Sequence, residues 1–215
     1  AIEKAQKTIH DNAREEEARK RELAWKKEDR MIEAAAREAA AEGDEFTKRE
    51  ILRESLLDLP SVKTYSGLQG MGPGFQRLEA TYESWKKARE AGESYSAHEN
   101  AILQFFQRMI DPATVRLGDV ELIRQADSVL RRAGVSMAQF KEGAFISDSL
   151  VEELMKIGRK IHGAQTDYVR DRIRNSIKTW NTFHPKDKIV GEDLDKIVQG
   201  TLGIGTTATV DISVM

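Results

Sequence analysis

Apolar positions along this chain recur mainly at steps of three and four, the period of amphipathic helices. The clearest run lies between Ser147 and Trp180. Leu150, Leu154, Ile157, Ile161, Ala164 and Tyr168 alternate steps of four and three, and Ile173, Ile177 and Trp180 continue the face after a shift of register. The pattern predicts one helix about 50 Å long, ended by His184-Pro185 and carrying a stripe of the kind that coiled coils and bundles bury. Gly158 and Gly163 weaken that helix slightly or admit a close neighbour. A stripe this regular makes Leu150, Leu154, Ile157 and Ile161 expected partner-binding residues.

Residues 1–42 contain no Pro or Gly and interleave Glu with Lys and Arg, while Ile2, Ile9, Leu23, Trp25, Met31 and Ile32 are thinly spread. That predicts a charged helical arm over 1–43, solvated or docked on other subunits. A second helix opens where Thr47 and Glu50 have capping-box spacing and Phe46 and Ile51 hold the staple positions; Leu59-Pro60 ends it. The run Ser66-Gly67-Leu68-Gln69-Gly70-Met71-Gly72-Pro73-Gly74 reads as a loop or kink. An amphipathic stretch over 75–91 follows, then a capping box at Ser96 and Glu99 leading into Ile102, Leu103, Phe105, Phe106 and Met109. Helices near 118–133, after Ser136 and near 192–198 complete a helical body over 44–199. The pattern then changes period: Ala208, Val210, Ile212 and Val214 alternate with Thr207, Thr209, Asp211 and Ser213, as in a strand. No second strand exists to pair with it, so 200–215 is expected as an extended arm, flexible or added to a sheet of another chain. Val210, Ile212 and Val214 join the expected partner-binding residues. The fold class is all-α: an elongated helical bundle of coiled-coil-like long helices with a C-terminal β-strand arm.

Composition sharpens this. In 215 residues there are 34 Lys+Arg against 36 Asp+Glu, a net charge of −2, with 33% charged and 40% hydrophobic residues. That is thin furnishing for a single core and suits a homo-oligomer whose neighbours complete its burial. Zero cysteine removes disulfides, thiolate metal sites and thiol catalysis. No apolar run approaches the ~18 residues of a membrane span. His10, His98, His162 and His184 lack metal-ligand spacing, no G-x-S-x-G occurs, and Gly70, Gly72 and Gly74 follow no strand. No catalytic, cofactor-binding or metal-binding residue is expected. Arg108, Arg116, Arg124, Arg131 and Arg132, or Arg159, Lys160, Arg170, Arg172, Arg174 and Lys178, form basic sets open to two readings: a solvated helix face, or non-specific DNA contact. The start at Ala1 suits a trimmed chain or a piece of a longer one.

Two resemblances bear on function. Glu54-Ser55 followed by Gly67-Leu68-Gln69 loosely resembles the Glu-Ser and Gly-Leu-Met-Gln blocks of soluble lytic transglycosylases, in which a buried glutamic acid protonates a glycosidic oxygen. Here the Gly-Ala expected before the second block is missing and Met71 follows Gly70. The run from Ala101 to Glu121 resembles a block of tailed-phage internal virion or DNA-ejection proteins: a hydrophobic helix ending in Lys/Arg-Met-Leu-Asp-Pro, a small residue, Ser/Thr, Val, Val and Arg. Phe105, Arg108, Met109, Asp111, Pro112, Thr114, Val115, Arg116 and Glu121 match; Ile110 stands for the usual Leu, and one Val rather than two precedes Arg116. In physical terms Phe105 and Met109 bury a helix end, Asp111 caps the next turn, Pro112 fixes its entry, and Val115-Arg116 closes a structural joint. The second resemblance implies a non-enzymatic virion component in the capsid interior, portal or tail lumen. There it would assemble with itself and with portal, tail or ejection proteins and assist genome delivery. The alternatives are a peptidoglycan-cleaving domain and a coiled-coil scaffold or adaptor.

Overall fold

The computed structural model of the protein describes residues 2–41, 44–67, 70–109, 128 and 147–203, apart from the side chains of 2–14, 17, 21 and 107. Every regular element among them is helical: α1 (Ile2–Ala41), α2 (Glu45–Asp58), α3 (Pro60–Ser66), α4 (Met71–Glu90), α5 (Ser96–Met109), α6 (Asp148–Phe183) and α7 (Gly191–Leu202). The all-α class follows from the periodicity; the expected strand arm lies outside the described residues. The chain divides into two compact units, Ala1–Trp25 with Thr64–Tyr168 and Lys26–Lys63 with Val169–Met215. That division cuts across the segments 1–43, 44–199 and 200–215 expected from the sequence.

In the first unit α6 runs antiparallel to α4. His162 stacks on Phe75, Gly158 lies against Leu78, the Tyr82 hydroxyl meets Glu152, and Arg89 pairs with Asp148 at 2.6 Å. A Cβ on Gly158 would stand 3.2 Å from Leu78 Cδ2, so glycine lets the two helices close up here. Leu78, Trp85, Ile102, Phe106 and Leu154 are fully buried. The expectation that the Leu150, Leu154, Ile157 and Ile161 stripe waits for another chain is corrected: these side chains are 5%, 0%, 6% and 0% exposed. A three–four stripe fits any antiparallel neighbour, and here α4 and α5 of the same chain supply it. The loop expected over 66–74 shrinks to the corner between α3 and α4. Gly70 is required there, since a Cβ would lie 2.4 Å from the Tyr65 carbonyl oxygen, and Met71–Gly74 already form the first turn of α4. At the other end of α4, Gly92 takes φ 69°; its N–H donates to Arg89 and that of Glu93 to Ala88, a Schellman stop.

In the second unit the later parts of α1 and α6 run parallel, with Glu28 against Arg172 and the Ala36 carbonyl against His184. Ile32, Ala36 and Ala39 are fully buried, as are Leu52, Leu56 and Leu59. The picture of α1 as a solvated arm therefore holds only in part. From Glu15 to Lys27 every described side chain is exposed, but from Glu28 onward small alanines let the helix pack closely. The start of α2 is also corrected. Asp44, not Thr47, is the N-cap: its Oδ2 accepts the Thr47 amide and hydroxyl, both at 2.9 Å. Those hydrogen bonds hold the Asp44 carboxyl below its usual pKa. Phe46 forms no staple and is 73% exposed.

Candidate functional site

The residues singled out by sequence do not converge on one site. Of the joint, Met109 is buried and Phe105 half-buried at the end of α5, consistent with a helix end sunk into the core. Asp111, Pro112, Val115 and Arg116 lie outside the described residues, as do Val210, Ile212 and Val214. Glu54 is exposed on α2, and the Ser55 hydroxyl donates to the Ile51 carbonyl at 2.6 Å. A general acid of the lytic type needs an apolar enclosure around its carboxyl, and an exposed helical Glu lacks one.

The basic set on α6 is largely spent inside the chain. Arg159 faces Glu79 at 3.4 Å, Arg174 faces Asp195 at 3.3 Å, and Arg172 turns inward. Lys160 and Lys178 stay exposed. Among the described residues no group of His, Asp and Glu is placed to hold a metal ion, and no helix is long and apolar enough to cross a membrane.

Two polar clusters are built into the core instead. In the second unit Arg172 Nε donates to Glu28 Oε2 at 2.8 Å and its Nη2 to Asp29 Oδ1 at 3.0 Å. Glu28 Oε1 accepts the Ser61 amide at 2.9 Å, capping the first turn of α3. The Arg172 and Glu28 side chains are 6% and 4% exposed, so this ion pair and its hydrogen bonds tie α1, α3 and α6 together away from water. Farther along, just past the end of α6, His184 stacks on Trp180, ring centroids 4.4 Å apart, with its Nε2 3.1 Å from the Ala36 carbonyl oxygen.

In the first unit His162 lies flat on Phe75, ring centroids 4.1 Å apart, with Nε2 3.0 Å from Tyr65 Oη. The protons of this cluster can be assigned by counting. Thr166 Oγ1 spends its one proton on the His162 carbonyl, at 2.8 Å. Tyr65 Oη, 2.8 Å from Thr166 Oγ1, therefore donates there, and Nε2–H of His162 donates to Tyr65 Oη. The ring is held as the Nε2–H tautomer, and a second proton would enter at Nδ1 without breaking the chain. Burial lowers the His162 pKa, and Glu79 opposes that weakly. Two turns along α4 from Phe75, burial and then the hydrogen bond to Glu152 raise the Tyr82 hydroxyl to about 12. These groups fasten α3, α4 and α6 to one another.

Sequence reasoning missed Glu28, Tyr65, His162 and the inward turn of Arg172. Their partners lie 97 to 144 residues away along the chain, beyond any local spacing rule. No known protein family matches this chain, and no curated protein or solved structure is detectably similar to it.

Proposed function

We propose that the chain is a non-enzymatic structural component of a tailed-phage virion, assembled in multiple copies in the capsid interior, portal or tail lumen, where it assists genome delivery. The observation that carries the assembly part is the first half of α1. Its backbone is helical from Ile2, yet every described side chain from Glu15 to Lys27 is exposed, Leu23 at 67% and Trp25 at 39%. A helix that buries so little of itself gains little from solvent-screened pairs such as Lys20–Glu16, at 2.6 Å. Other subunits supply the missing burial. The phage assignment rests on the resemblance of Ala101–Glu121, and the buried Met109 at the end of α5 agrees with the joint that block describes. The exposed position of Glu54 favours this reading over a cell-wall hydrolase. Mass spectrometry of purified virions tests it: the polypeptide is expected at a fixed multiple-copy stoichiometry, and its absence from washed particles refutes the assignment.

A further inference from the structure

Gly200, near the end of α7, answers no need of the fold around it. Glycine is among the poorest helix formers, yet a Cβ added here meets nothing within 4 Å among the described residues, and the backbone turns left-handed only at Gly203, with φ 67°. What the missing side chain leaves is open floor. Over it α2 and α7 enclose a groove of ≈ 300 Å³, with Leu52, Leu57 and Ile197 as its apolar wall and the exposed Arg53 and Lys196 as its charged members. Leu57 is 40% exposed, among the most exposed large apolar side chains described. A glycine that keeps such a groove open suits a chain passing close over it.

The sequence that follows α7 has matching chemistry and starts beside the groove. Gly203 donates its N–H back to the Gln199 and Gly200 carbonyls, a left-handed stop after which chains commonly fold back on the last helical turn. From Lys196 to Gly200 the groove follows about 6 Å of α7, a distance that two extended residues cover at about 3.3 Å each. Ile204 to Thr209 are therefore ample to bring Val210-Asp211-Ile212 over it. In an extended run Val210 and Ile212 share one face and Asp211 takes the other. With the apolar pair down on Ile197 and Leu57, the carboxylate comes up between Arg53 and Lys196. Asp211 is the only charged residue in 204–215, so the sign is complementary as well as the pattern. Glu50 and Glu192 stand about a turn before the two cations on their own helices, Glu192 at 2.7 Å from Lys196. Asp211 therefore sets the register, and the two apolar side chains supply most of the hold. We propose that residues 210–212 of this same chain dock in the groove between α2 and α7. A tether this short gives an effective concentration in the millimolar range, so even a weak fit is occupied. The inference goes beyond the virion reading and stands without it.

Nuclear magnetic resonance on the full chain tests this. Because the chain has no cysteine, a spin label placed on Ser213→Cys is unique, and it shares the polar face with Asp211, clear of the apolar pair. It is expected to broaden the Leu57 and Ile197 methyl signals of the molecule that carries it. In the unlabelled parent the amides of 210–212 should show order parameters above about 0.6. Gly200→Leu fills the floor at a site where the new side chain starts clear of every described neighbour. It should release the segment, with order parameters below about 0.6 and elastase cleavage after Val210 at least about tenfold faster. Arg53→Glu/Lys196→Glu should speed that cleavage about two- to fivefold, and adding Asp211→Lys should reverse the gain. The label on the parent fold decides the question should Gly200→Leu misfold. The inference is overturned by a segment as mobile in the parent as in Gly200→Leu, by broadening that passes only between labelled and unlabelled molecules in a mixture, or by no rescue from Asp211→Lys.

Discussion

Arg172→Met should be among the most damaging single substitutions in the second unit. The guanidinium it removes is 6% exposed, donates to Glu28 Oε2 at 2.8 Å and reaches Asp29 at 3.0 Å. Its loss leaves the Glu28 carboxylate, 4% exposed, holding the Ser61 amide without its guanidinium and with the Asp29 charge nearby. Breaking a buried pair from one side costs about 3–5 kcal/mol, because the stranded ion stays desolvated. Glu28→Met should cost about as much, since it strands Arg172 on the half-exposed Asp29 and orphans the Ser61 amide. The double variant strands no buried charge of this pair. Its cost should fall to the unmet Ser61 amide, about 1–3 kcal/mol, so the two substitutions couple by about 3 kcal/mol or more. Native-state hydrogen exchange read by mass spectrometry follows this locally. Peptides from 26–63 and 169–202 should exchange about 10²–10³-fold faster in either single variant and recover most of their protection in the double one. If the single costs simply add to within about 0.5 kcal/mol, or Arg172→Met costs under about 1 kcal/mol, the pair does not hold this unit together as described.

Gly158→Ala and Gly163→Ala should move melting temperature in opposite directions. The first drives a Cβ to 3.2 Å from Leu78 Cδ2 and costs about 1 kcal/mol, whereas the second meets nothing within 4 Å and stabilises by about 0.5–1 kcal/mol. Asp44→Ala removes the cap that accepts the Thr47 amide and should lower the midpoint of a urea titration, while Glu50→Ala, the partner a capping box at Thr47 would need, should leave it near the parent's. For His162, nitrogen NMR should find the neutral ring protonated at Nε2 and bare at Nδ1. Burial sets its folded pKa below the ordinary histidine value of about 6.5, so its contribution to stability is complete above that pH and falls as pH drops toward the lower folded value. His162→Phe should flatten that part of the stability–pH curve; an unchanged slope means the ring is not desolvated in the fold.

The parts of this molecule that were legible in the sequence are those written in a single period. Leu150, Leu154, Ile157 and Ile161 announced a long helix and a buried face, and the helix spans Asp148–Phe183. Periodicity says that a face is buried but not on what, so the same stripe suits a neighbouring chain as well as it suits α4 of this one. The later part of α1 failed for a related reason. Counting large apolar residues overlooked Ala35, Ala36 and Ala39, whose smallness lets a neighbour approach and whose exposure is 9% or less. The capping box at Thr47 and Glu50 was displaced because Asp44 offers a better acceptor three residues earlier, and local motifs compete by such small margins. Phe46, freed from the staple by that shift, became one of the most exposed aromatic side chains described, at 73%.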